Sequence, residues 1–148
     1  MNSTQEYISN SPEETFAIGK ELATTLKGGE ILALFGDLGA GKTAFVQGLA
    51  AGLDVKDQVN SPTFAIMKLY RANRGEIKYL CHVDTYRLSD SSELSDIGIS
   101  DYFNQPDTIT AIEWAEKVEN ILPKEFIAIK LVASEENIRE IEIKKMAP

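Results

Sequence analysis

Apolar residues recur along this chain with two different periods, and each change of period marks an element. Phe16, Gly19, Leu22, Ala23 and Leu26 fall at helical steps, as do Phe45, Val46, Leu49 and Ala50, so each set lines one side of a helix. The unbroken runs Ile31 to Phe35 and Thr108 to Ile112 read as strands instead. Punctuation agrees. Ser11-Pro12-Glu13-Glu14 opens the first helix with Ser11 as N-cap, Pro12 at the first helical position and Glu14 completing a capping box, and Gly28-Gly29 is its expected end. Tyr7-Ile8 before it is a short strand. The second helix covers Ala44 to Ala51 with Gly52 as its C′ residue.

Further on, Thr63 to Arg71 and Glu76 to Val83 form an antiparallel hairpin around Ala72-Asn73-Arg74-Gly75. Ser89-Asp90-Ser91-Ser92-Glu93 opens a short polar helix with Leu94 and Ile97 inward and Gly98 at its end. Asp101 to Asp107 is loop, and Ala115 to Leu122 has a helical look. Phe126 to Ala133 and Ile138 to Lys145, joined by Ser134-Glu135-Glu136-Asn137, close the chain as a second hairpin whose Ile129, Leu131, Ile141 and Ile143 supply core. Strands and helices therefore mix within an α/β fold. With 148 residues, one domain spanning 1–148 buries about two thirds of its unfolded surface.

Candidate chemistry centres on Gly36-Asp37-Leu38-Gly39-Ala40-Gly41-Lys42-Thr43, placed between a strand and a helix. This is the phosphate-loop pattern in its proper setting. Gly36, Gly39 and Gly41 admit dihedrals a side chain forbids, so successive N–H groups can converge on phosphate oxygens, and the helix start adds free N–H groups and partial positive charge. Lys42 is placed to reach the β- and γ-phosphates, and the Thr43 hydroxyl to take one position on a phosphate-bound Mg²⁺. The competing reading is a glycine turn before an ordinary surface helix.

Two carboxylates join this loop by position. Leu80-Cys81-His82-Val83-Asp84 is an apolar strand closing on an acid, and Glu113 ends the strand Thr108 to Ile112. Ligands of α/β sheets sit outside the carboxyl ends of parallel strands, which brings Asp84 and Glu113 to one edge with the loop. Asp84 is either the second half of a Mg²⁺ site or a cap on the turn into Thr85-Tyr86-Arg87-Leu88. Glu113 is either a metal or water-orienting group or an acid at the start of the helix after it. His82 shares a strand face with Asp84 and reads first as a structural imidazole. Ser61-Pro62-Thr63 is either a nucleotide-sensing switch or a capped turn, and the loop from Ile8 to Pro12 could border a bound base. Trp114 is a core or rim aromatic that could stack on a ligand.

Charge narrows the partners. The chain carries 23 acidic against 15 basic residues, a net −8, which repels a nucleic-acid backbone, so direct RNA binding is disfavoured. Lone Cys81 offers neither disulfide nor cysteine metal site. No leader pattern and no run of 18 apolar residues stand in the sequence, so a cytoplasmic protein with no membrane contact is expected.

Taken together, the phosphate loop, Ser61-Pro62-Thr63-Phe64, His82-Val83-Asp84-Thr85-Tyr86-Arg87-Leu88 and Glu113-Trp114 resemble, in order and spacing, the TsaE (YjeE) family, across roughly residues 10 to 145. That resemblance implies a P-loop NTPase-like three-layer fold with a mixed, partly antiparallel sheet. It implies a small ATPase of tRNA threonylcarbamoyladenosine biosynthesis that binds ATP or ADP with Mg²⁺ and acts with TsaD and TsaB, meeting tRNA through that complex. By the same resemblance Asp37 to Thr43, including Leu38, Gly39, Ala40 and Gly41, hold the nucleotide. Thr43 and Glu113 are Mg²⁺ positions, Asp84 is a Walker-B-like carboxylate, and Lys42 holds phosphates. Where the family often has Pro after Glu-Trp, Ala115 stands here. Asp84 is followed by Thr85 rather than a second acid, and no arginine finger is evident, so slow hydrolysis without partners is expected. An autonomous small-molecule kinase and a non-catalytic, nucleotide-dependent scaffold are the alternatives. An Asn-Lys-x-Asp run that would signal guanine is absent.

Overall fold

A computed structural model gives the arrangement of residues 4–37, 39–60, 67–86, 98–103 and 105–147. Seven strands form one mixed sheet: β1 (Thr4–Ser9), β2 (Ile31–Phe35), β3 (Met67–Arg74), β4 (Ile77–Asp84), β5 (Thr108–Glu113), β6 (Phe126–Glu135) and β7 (Ile138–Met146). Their lateral order is β1-β7-β6-β2-β5-β4-β3. The centre, β6-β2-β5-β4, is parallel, and antiparallel partners extend it on both sides. Burial follows that division. All six residues of β5 are buried, as a strand covered on both faces requires, whereas β3 at the edge alternates with exposed positions.

Two helices, α1 (Pro12–Ala23) and α2 (Lys42–Gly52), pack together on one face. They come close because glycines stand at the crossing. A Cβ at Gly19 would lie 2.3 Å from the Phe45 carbonyl oxygen, one at Gly48 1.9 Å from that of Phe16, and one at Gly52 2.6 Å from that of Lys20. Gly52 is thus the last residue of α2 and a packing residue, not the C′ residue expected from sequence; Leu53 caps the helix and Asp54 takes the positive φ of 59°. The core on this face includes Leu22, Ala23, Phe45, Leu49, Leu32, Leu34, Ile129 and Leu131. The opposite face buries Ile31, Ala33, Cys81, Val83 and Ile112 beneath Ile99, Ala115 and Val118.

Several expectations need adjusting. Ser11 does cap α1, its Oγ accepting from Glu14 N–H at 3.1 Å, but the Glu14 carboxylate returns to Asn10 N–H, one residue before the cap. The helix stops at Ala23, where the Thr24 and Thr25 hydroxyls donate to the Glu21 and Leu22 carbonyls. These bonds satisfy the last turn, so Gly28-Gly29 does not end it. Gly28 instead sits with φ 127° against Pro106, whose carbonyl oxygen a Cβ would meet at 2.1 Å. The first hairpin turns at Gly75-Glu76, because β3 runs on through a register irregularity that buries Ala72. Residues 115–122 are not an α-helix but two 3₁₀ turns, Ala115–Lys117 and Glu119–Ile121. Ala115, Val118 and Ile121 lie three apart, the 3₁₀ period, and all three pack inward. The helix expected over 89–97 lies outside the described residues. Among those described, no helix is long and apolar enough to cross a membrane.

Candidate nucleotide site

α2 begins at Lys42 because Gly41, with φ 99°, turns the chain from the loop into the helix in a conformation that costs an L side chain about 1–2 kcal/mol. No side chain caps this end, so the first amides of α2 remain directed at the loop. Gly39, with φ 81°, has open space where a Cβ would stand.

A cavity of about 450 Å³ lies over this turn. Gly39 to Ala44 form its floor, Asp84, Tyr86, Glu113 and Trp114 one wall, Ser11, Pro12 and Thr15 of the α1 start another, and Asn137 and Arg139 of the β6–β7 hairpin a third. The α1 entry therefore borders the cavity, as its position before β2 implied. The Asn137 and Arg139 contribution has no signal in the sequence, since it depends on how far a closing hairpin reaches across the sheet. Arg139 Nη1 donates to the carbonyls of Ile138 at 3.0 Å and Glu135 at 3.4 Å.

Asp84 and Glu113 are partners in the parallel register of β4 and β5, so strand pairing places the two carboxylates side by side. Their surroundings differ. Asp84 is half-buried and takes Tyr86 N–H on Oδ1 at 3.0 Å; burial raises its carboxyl above the usual range, the Tyr86 bond opposing. It thus caps its turn and lines the cavity at once. Glu113 is 2% exposed, and its Oε2 lies 2.6 Å from His82 Nε2. With no α-helix following, the reading of Glu113 as a helix-start acid falls away. Behind them buried Thr85 donates its hydroxyl to the carbonyls of Trp114 at 2.6 Å and Glu113 at 3.0 Å, fixing Trp114 in a left-handed conformation of φ 61°.

The Lys42 ammonium donates to the carbonyls of Gly36 and Asp37, the latter at 3.1 Å, and sits 3.7 Å from the centre of the Trp114 ring, which itself packs on Tyr86. Burial lowers its pKa, with Glu116, Glu113, Asp84 and Asp37 pulling the other way. Glu116, which no sequence motif marks, accepts from Gly36 N–H at 3.0 Å. A carboxylate thus already satisfies one loop amide, a stand-in for the anion such a loop is built to receive. Asp37 lines a neighbouring cavity with Glu116 and Lys130, and its carbonyl accepts from Lys42. Leu38, the 61–63 segment and Arg87 lie outside the described residues.

These residues fit a magnesium nucleotide. Among the described residues no group of three or more His, Cys, Asp and Glu could cage a metal. Mg²⁺ ordinarily takes one or two carboxylates and completes its shell with water and phosphate oxygens, and a carboxylate pair with a threonine at a helix start supplies that share.

Comparison with known proteins adds to this geometry. The family described as "Threonylcarbamoyl adenosine biosynthesis protein TsaE" matches residues 9–141. A tRNA threonylcarbamoyladenosine biosynthesis protein TsaE from Bacillus subtilis is 45% identical over 131 residues, covering 88% of this chain and 79% of that one. Its namesake from Aquifex aeolicus is 37% identical, covering 97% and 98%. The crystal structure of Bacillus subtilis YdiB superimposes with a TM-score of 0.78 at 35% identity, covering 99% of this chain and 88% of that one.

Proposed function

The chain belongs to the TsaE family, named for the biosynthesis of threonylcarbamoyladenosine in tRNA, and from that premise we propose that it is an ATP-binding and ATP-hydrolysing subunit of that pathway. Its partners are TsaD and TsaB, and it meets tRNA, at the adenosine beside the anticodon, through their complex. The observation that carries this reading is the convergence of Lys42, the N-terminus of α2 and the Asp84–Glu113 pair on one cavity.

Each residue has a task set by its place. The amides of residues 37–43 and Lys42 hold the phosphates of ATP or ADP. Thr43 and Glu113 would hold Mg²⁺, with Asp84 beside them as the Walker-B-like carboxylate. The ion, when bound, neutralises charge developing on the transferred phosphoryl group. Lys42, whose ammonium donates to the Gly36 and Asp37 carbonyls, would exchange these neutral acceptors for charged phosphate oxygens on binding. Ser11 and Pro12 border the rest of the nucleotide.

Slow turnover without partners follows from what surrounds the phosphates. Arg139 is the arginine lining the cavity among the described residues, and its Nη1 is engaged by backbone carbonyls. Completing a phosphoryl-transfer site with an arginine from another chain can be worth about 10³ to 10⁵ in rate. ATP turnover should be measured for the chain alone and with TsaD and TsaB, beside Lys42→Ala. Low intrinsic turnover, stimulation by the complex and no turnover in the variant are expected; fast, partner-independent turnover, or none under any condition, defeats the proposal.

A further inference from the structure

Glu113 has one oxygen already engaged. Its Oε2 lies 2.6 Å from His82 Nε2, and the two side chains are only 3% and 0% exposed. β4 supplies the ring two residues before Asp84, on the face from which Asp84 and Glu113 both reach the cavity. The second ring nitrogen, Nδ1, is buried without a hydrogen-bond partner among the described residues. An imidazole that served packing alone would direct both nitrogens to backbone groups, as buried polar atoms ordinarily do. This one makes a single bond, and makes it to the buried member of the carboxylate pair.

We propose that His82 is a positioning residue, donating from Nε2 to Glu113 Oε2 and so holding that carboxylate in one orientation with Oε1 left for the phosphate-bound metal. This rests on the nucleotide reading above. An ionised carboxylate only accepts, so a hydrogen must sit on Nε2. The ring is rigid and rooted in a central strand, so it removes rotamer freedom that Glu113 would otherwise lose on binding. Asp84 is oriented differently, by the Tyr86 amide of its own turn. Each carboxylate of the pair thus has its own holder, one from backbone and one from a side chain.

ADP affinity with and without Mg²⁺ tests this by calorimetry on the whole chain, for the wild type, His82→Leu and His82→Gln. The Mg²⁺-dependent gain in affinity is expected to fall about tenfold or more in His82→Leu, the usual size for losing such an outer partner, with Mg²⁺-free affinity unchanged. His82→Gln, whose amide N–H can take the place of Nε2, should keep most of the gain. A folded His82→Leu with the full gain overturns the role of His82 while leaving the nucleotide site standing. A wild type that binds no ADP overturns the site reading and this inference with it. Nitrogen-15 spectra of wild-type His82 decide independently of whether the variants fold: a hydrogen on Nε2 is expected, and a ring with its hydrogen on Nδ1 alone overturns the proposal.

Discussion

The two faces of the sheet are made from the same strands and do different work. In β4, Leu80, His82 and Asp84 turn toward the helices while Cys81 and Val83 turn away; in β5, Ile109, Ala111 and Glu113 do the same against Thr110 and Ile112. His82, Asp84 and Glu113, the strand-borne ionisable side chains of the candidate site, lie on the helix face. The other face buries Ile31, Ala33, Val83 and Ile112 around Cys81 and Thr110, and burial pushes the Cys81 thiol up to about 12, a small inert core group rather than a nucleophile. Strand alternation alone performs this sorting. Among the described residues the coverings differ in kind as well: two helices brought together by glycines on one side, short 3₁₀ turns on the other.

The sharpest way to break the comparison is to part the helices. Alanine favours a helix interior by close to 1 kcal/mol over glycine, so Gly48→Ala on an exposed helix would stabilise. Here the new Cβ would stand 1.9 Å from the Phe16 oxygen and 2.7 Å from its carbonyl carbon, and backbone of a neighbouring helix does not give way. A net loss of about 3 kcal/mol is expected, read as a fall in Tm of roughly 6–12 °C. A variant as stable as the wild type would show that the helix pair does not need this approach.

Which of these features are legible in the sequence depends on the range of the interaction behind each. The phosphate loop, β2, the carboxylates at the ends of β4 and β5 and the Ser11 cap are all written in neighbouring residues. The role of Gly48 and Gly52 is not, because a glycine that admits a crossing helix looks like one that ends a helix. The 3₁₀ turns after Trp114 pass for an α-helix because Ala115, Val118 and Ile121 also satisfy part of a helical pattern. Glu116 and Arg139 enter the site region through contacts to a loop some 80 residues away and through a hairpin, respectively, and leave no local signature.

A smaller effect of opposite sign should come from Asp84. Burial raises its folded pKa above the unfolded carboxylate value, so the ionised form is the disfavoured one in the fold. Its contribution is therefore best at low pH and is lost as pH rises from the unfolded value, about 3.9, through the raised folded one. Asp84→Asn keeps an oxygen for the Tyr86 amide and removes the charge. It should melt higher than the wild type at pH 7, with the difference shrinking to nothing near pH 4, and it should lose phosphate release. Thermal melts across that range check the sign; an Asn variant less stable at neutral pH would mean the ionised carboxylate is supported by more than the Tyr86 bond.

The smallest change lies on the quiet face. Thr110 Oγ1 is buried with no hydrogen-bond partner among the described residues, beside Cys81 and Ile31 in the register of β5. Thr110→Val exchanges that hydroxyl for a methyl of similar size, retains the β-branching a central strand prefers and removes a buried polar atom that nothing satisfies. Stability should rise by about 1 kcal/mol, a Tm gain of roughly 2–4 °C. Nucleotide affinity, with or without Mg²⁺, should stay where it was, since alternation directs this side chain away from Glu113. If Thr110→Val changed the Mg²⁺ dependence as His82→Leu is expected to, the two faces would be coupled through the strand, and the division of labour between them would not hold.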